Sequence, residues 1–147
     1  MVQMGSYERI DDKDLQIIEI LSENARTSLR EIEKRVDLSP SSIRLRMERL
    51  VELGIIKRYT LEIDYRKLGF DIQVLILITS KPGVAKELHQ TLSNFDQVSE
   101  ILRTAGPATF VLNVRVKDIE ELTRFVSHDL ENLNGIERIE TMLILPD

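Results

Sequence analysis

The chain has 147 residues, 31% of them charged and 42% hydrophobic, with a net charge of −5 and neither Cys nor Trp. Lack of cysteine excludes a disulfide scaffold, a zinc finger or ribbon, and a thiol nucleophile. The longest purely apolar run, Val74-Leu75-Ile76-Leu77-Ile78, is far shorter than the ~18 residues a membrane span needs. Met1–Ser6 shows no basic stretch leading into an apolar core, so no secretory signal is expected and the chain reads as soluble and cytoplasmic.

Taken whole, an acidic chain argues against nucleic-acid binding, but the charge is unevenly placed. Residues 1–25 balance to −4 and residues 59–147 to −5, whereas residues 26–58 hold nine basic groups against five acidic, a balance of +4. A phosphate backbone responds to the charge within a Debye length of ~8 Å, so the local excess is what counts.

Three short helices are expected in this first third. Asp11 or Asp12 caps the first, whose apolar positions Leu15, Ile18, Leu21 and Ala25 keep helical spacing, with Ile17 widening the stripe. Ser28 and Glu31 fit a capping box for the second, which runs through Leu29, Ile32 and Val36 to a turn at Asp37-Leu38. Ser39-Pro40 opens the third, because Ser accepts from the free N–H groups and Pro at the first position loses nothing. That helix turns Ile43, Met47 and Leu50 inward and ends at Gly54. Two helices joined by a tight turn, the second freshly capped and Arg-rich, form a helix-turn-helix pattern.

At 100° per residue the outward arc of the third helix holds Ser41, Ser42, Leu45, Glu48 and Arg49, flanked by Arg44 and Arg46. Short hydroxyls ringed by Arg suit a major groove, and an outward Leu45 suits a thymine methyl. Ser41, Ser42 and Arg44 are expected nearest base edges, and Arg46, Arg49 and Arg26 on phosphates. Thr27, Ser39 and Leu45 complete the candidate DNA-binding set. The plainer alternative is a three-helix bundle whose Arg residues pair with Glu33, Glu48 and Glu52.

Beyond the bundle, Tyr59–Asp64 alternates like a linking strand, and Tyr65–Asp71 reads as a turn. A strand over Ile72–Thr79 follows, bounded by Lys81-Pro82-Gly83. Val84, Leu88, Leu92 and Phe95 mark a helix. Strands over Val98–Thr104 and Thr109–Val116 flank a turn at Ala105–Ala108. Asp118 caps a helix using Ile119, Leu122, Val126, Leu130 and Leu133, and Asn134-Gly135 closes it before a last strand, Ile136–Leu145. The order βαββαβ is ferredoxin-like, giving an α+β chain: a three-helix helix-turn-helix domain (1–58), a linking strand and turn (59–71), and a ferredoxin-like domain (72–147).

A sheet with helices on one face should alternate apolar and polar residues. Ile72–Ile78 does not: Val74, Ile76 and Ile78 point one way and Leu75 and Leu77 the other, and Met142–Leu145 behaves alike. With no helix left to cover the second face, a second copy of the sheet is the expected cover, making a homodimer. A local loop burying the strand is the alternative. Two-fold symmetry would match a palindromic site in double-stranded DNA.

Ile10–Leu15, Asn24–Ser28, Leu38–Ser42, Arg46–Leu50, Gly54–Tyr59 and Leu68-Gly69-Phe70 together resemble the Lrp/AsnC, or feast/famine, regulators over nearly the whole length. The resemblance implies a prokaryotic DNA-binding transcription regulator. Its α/β domain would dimerise, assemble into rings or larger oligomers, and bind small effectors, often amino acids, between dimers. One departure stands out. The family usually carries Gly-Asp-aromatic-Asp where this chain has Gly106-Pro107-Ala108-Thr109. An amino-acid ammonium group wants a carboxylate, and both are missing. Arg103, Thr104, Gly106 and Thr109 remain as effector-site candidates, and Arg103 would favour an anion.

Enzymatic signals are thin: His89 and His128 have no metal-site spacing, and the isolated glycines make no phosphate loop. No cofactor, metal or catalytic residue is expected. Two alternatives remain: a tetrapyrrole decarboxylase of the kind some relatives of this family resemble, and a metabolite- or partner-binding module with a vestigial helix-turn-helix.

Overall fold

A computed structural model of the chain describes residues 10–147. The reading of Met1–Ser6 lies outside them. The chain divides into two compact units, Met1–Glu62 and Ile63–Asp147.

In the first unit α1 spans Asp12–Glu23, α2 Leu29–Arg35 and α3 Pro40–Glu52. Asp11 caps α1 in a reciprocal box with Asp14. Ser28 accepts from the Glu31 N–H to start α2, and Ser39 accepts from the Ser42 N–H to start α3 with Pro40 in its first turn. After α3, Gly54 takes φ +74°, so the Ile55 N–H reaches the Leu50 carbonyl at 3.0 Å and the Gly54 N–H the Val51 carbonyl at 3.0 Å. This left-handed closure satisfies two terminal carbonyls.

Ile17, Ile20, Leu21, Ile32, Val36 and Ile43 form the core, with Leu29 and Met47 packed against it. The expected inward face of α2 and α3 is therefore found, but that of α1 is displaced. Leu15 is 56% exposed and Ala25 is also exposed. The cause is polar: Asp14 points inward, only 2% exposed, and shifts the buried stripe toward Ile17, which was expected to widen it, and Ile20.

The expected linking strand is absent, since residues 55–64 contain no strand. A strand needs a ladder partner, and none of the described residues supplies one. The turn that follows includes a short 3-10 segment, Tyr65–Leu68.

The second unit comprises β1 (Ile72–Ser80), α4 (Ala85–Ser93), β2 (Val98–Arg103), β3 (Phe110–Val116), α5 (Ile119–Arg124) and β4 (Ile136–Leu143). The strands run in the order β2-β3-β1-β4, all pairs antiparallel, as the βαββαβ order requires. Val74, Ile76, Ile78, Leu112, Val114 and Val116 are buried beneath Leu88, Leu92, Phe125 and Leu130. Phe95 meets Phe125 edge-on at 5.3 Å. Asp118 caps α5 through the Glu121 N–H.

Three expected details of α5 change. Ile119 is exposed, Phe125 is wholly buried, and the helix continues from Phe125 to Leu130 as a π-helix. In an α-helix, residues five apart point ~140° away from each other. A π-turn winds more loosely and brings them onto the same side, so Phe125 and Leu130 both enter the core.

Candidate nucleic-acid interface and effector loop

Along α3, buried Ile43 and Leu50 fix the inward face, which leaves Ser41, Arg44, Leu45, Glu48 and Arg49 exposed and Ser42 half-buried. Three hydroxyls gather at its start. Ser39 Oγ lies 3.2 Å from Ser41 Oγ and donates to Ser42 Oγ at 3.0 Å. The cap thus holds both following serines at the N-terminus of α3, where free N–H groups and the helix dipole favour an anion. Arg44 and Leu45 project beyond them.

Two of the expected DNA-contacting residues serve the fold. Arg46 Nη1 donates to Asp11 Oδ1 at 2.6 Å and to Asp14 Oδ1 at 3.0 Å. Its side chain is only 25% exposed, so it tethers α3 to the start of α1 instead of standing free toward a phosphate. This guanidinium, followed by the Asp14 N–H, holds the Asp11 carboxyl at about 2, below its usual 3.8, and the same pairing raises the pKa of Arg46. Thr27 donates both its hydroxyl, at 2.6 Å, and its N–H, at 3.1 Å, to the Asn24 carbonyl. Having no further donor, it shapes the turn before α2. Arg26 is exposed, its backbone fixed on Asn24 Oδ1 at 3.0 Å. The Asp11–Arg46 link was invisible to local spacing because its partners lie 35 residues apart.

In the second unit, the turn between β2 and β3 brings the effector candidates together but closes on itself. Thr109 Oγ1 accepts from the Ser80 N–H at 3.0 Å and lies 3.3 Å from Ser80 Oγ. Thr104 Oγ1 donates to the Ala108 carbonyl at 2.8 Å, and Thr79 Oγ1 to the Pro107 carbonyl at 3.1 Å. Gly106 takes φ +126°, a conformation that favours glycine. Arg103 lies with its guanidinium carbon 5.7 Å from the Phe110 ring centre. His89, which the sequence did not single out for this place, stacks obliquely on the same ring at 5.8 Å. Among the described residues no group of three or more His, Asp or Glu could hold a metal ion.

The sheet face opposite the helices carries Leu75, Leu77, Val111, Leu102 and Met142 in directly paired positions. Leu102 and Met142 are about half exposed. At one end of this face the Arg115 guanidinium lies 4.1 Å over the Tyr65 ring, and Gln73 donates to Asn113 at 2.9 Å. No described helix is long and apolar enough to cross a membrane.

Comparison with known proteins matches both units. Residues 10–57 match the winged helix-turn-helix DNA-binding family, and residues 73–146 the Lrp/AsnC ligand binding domain. The HTH-type transcriptional regulator FL11 of Pyrococcus furiosus is 36% identical over 92% of this chain and 89% of its own. The solved structure of E. coli AsnC is 28% identical, with a TM-score of 0.85 over 94% of this chain and 93% of its own. A Neisseria meningitidis transcriptional regulator in complex with L-methionine aligns with a TM-score of 0.86 at 23% identity, over 94% of this chain and 91% of its own. That last likeness is one of fold.

Proposed function

The chain belongs to the Lrp/AsnC family of helix-turn-helix transcription regulators, and from that premise we propose how its own residues perform the work. Helix α3 enters the major groove, with Ser41, Ser42 and Arg44 toward base edges and Arg49 and Arg26 toward phosphates. Ser39 holds the helix start in register. Arg46 and Thr27 act from within, fixing α3 and the turn before α2. The observation that carries this reading is the face of α3 that begins at the Ser39 cap, where Ser41, Arg44, Leu45 and Glu48 all lie exposed.

The protein works as a homodimer through the open sheet face of Leu75, Leu77, Val111, Leu102 and Met142. A two-fold pair of α3 helices then requires a palindromic site, with half-sites about one helical turn, 10–10.5 base pairs, or a multiple apart. Dimers associate further, in the manner usual for the family.

The effector loop differs from a site built for an amino-acid ammonium group. It offers no carboxylate, and its hydroxyls are engaged by neighbouring backbone and Ser80. Regulation therefore runs through protein concentration and assembly, or through an anionic ligand drawn by Arg103.

Mobility-shift titration of the full-length protein against genomic fragments, repeated over a range of salt, tests the central claim. Specific binding should weaken steeply with salt, and Arg44→Ala should relax base preference at one position of each half-site. Unchanged affinity and preference in Arg44→Ala would remove α3 as the reader.

A further inference from the structure

Leu45 and Glu48 stand one turn apart on the exposed face of α3, and among the described residues the fold uses neither. Leu45 is 65% exposed, and its neighbours at the helical spacings are Ser41, Ser42, Glu48 and Arg49. A leucine ringed by polar groups does not form the contiguous apolar patch that marks a protein-binding surface. Glu48 is exposed, and among the described residues it enters none of the ion pairs. A carboxylate on a face that meets phosphates costs affinity unless it meets a hydrogen-bond donor.

The major groove supplies a partner for each. Its apolar feature is the thymine 5-methyl group, and its donors are the exocyclic amino groups of cytosine and adenine. Three residues of α-helix advance ~4.5 Å, close to the ~3.4 Å between successive base pairs. We propose that Leu45 and Glu48 are specificity-determining residues that read neighbouring base pairs, Leu45 a thymine methyl and Glu48 an exocyclic amino group. The proposal rests on α3 being the reading helix. It adds the sequence class that the helix selects.

The test begins with duplexes selected from a randomised pool by the full-length protein. Thymines of the selected site are then replaced one at a time by deoxyuridine, which lacks only the methyl. One thymine per half-site should lose about fourfold in affinity on replacement, the worth of one buried methyl group. Leu45→Ala should bind the thymine and deoxyuridine duplexes equally at that position. Glu48→Ala should lose the preference at the neighbouring base pair while binding unrelated DNA more tightly, because a negative charge has gone. The base preferred there by the unmodified protein decides between cytosine and adenine.

A flat deoxyuridine scan, or a Leu45→Ala protein that keeps the sensitivity, overturns the role of Leu45. An intact neighbouring preference in Glu48→Ala overturns that of Glu48. If Arg44→Ala still weakens binding in those cases, α3 remains the reader and only this proposal fails. If no sequence is enriched, or Arg44→Ala and Ser41→Ala change nothing, the reading of α3 fails and this proposal with it.

Discussion

Arg46 Nη1 lies 3.0 Å from Asp14 Oδ1, joining the middle of α3 to the single buried charged residue among those described. The two carboxylates that cap α1 thus also anchor α3. Arg46→Ala would leave Asp14 buried without its cation, and should destabilise the protein by about 1–3 kcal/mol in urea unfolding. Its DNA binding, measured where the protein is folded, should keep the slope of log affinity against log salt. Arg26→Ala, at a residue assigned to a phosphate, should reduce that slope by about one. A slope reduced equally by Arg46→Ala would place its guanidinium on DNA after all.

The same cluster sets an acid limit. Asp11 is held at about 2 against its ordinary 3.8, so its ionised form stabilises the fold above 3.8 and that contribution fades as pH falls through about 2. Urea midpoints of wild type and Asp11→Asn should differ near neutral pH and converge across this acid window. A difference that persists undiminished below it would mean that the Asp11 charge is not what stabilises α1.

Leu77 sits on the open sheet face opposite Val111 and Glu140. Leu77→Glu places a like charge beside Glu140 and removes apolar contact area. Light scattering should give wild type at twice the 17.0 kDa chain mass or a multiple of that dimer, and Leu77→Glu at the chain mass with its helical circular dichroism retained. A folded variant still dimeric at micromolar concentration would move the interface elsewhere.

Calorimetry of the assembled protein with the common amino acids should detect no low-micromolar binding, since the loop presents no carboxylate for their ammonium group. Thr109→Val removes the acceptor of the Ser80 N–H and should cost about 1 kcal/mol of stability. Tight amino-acid binding abolished by that change would show that the loop opens to receive a ligand.

Most of the architecture was legible because it rests on short-range patterns. Ser39-Pro40 and Gly54 bound α3, and the apolar run in β1 marks a strand. The failures were long-range. Ile17 and Leu21 of the expected helical stripe are buried, but the inward Asp14, held by Arg46, shifts the buried face so that Ile20 enters the core and Leu15 stays out. Tyr59–Asp64 has the alternation of a strand, yet alternation does not supply a hydrogen-bonding neighbour. In the loop at Gly106, the missing acids were visible in the sequence. The Ser80–Thr109 and Thr104–Ala108 bonds, which depend on how the strands pair, were not.

The π segment from Phe125 to Leu130 behaves as a retained one-residue insertion. An ordinary α-helix would reach the same two core positions with one residue fewer. Deleting Ser127, which is exposed, should therefore shorten the coil without emptying the core, whereas a deletion inside α4 would swing Leu92 out of its place. A deletion scan of this unit would find a tolerant spot in that turn, a genetic signature of a helix carrying one residue more than its geometry needs.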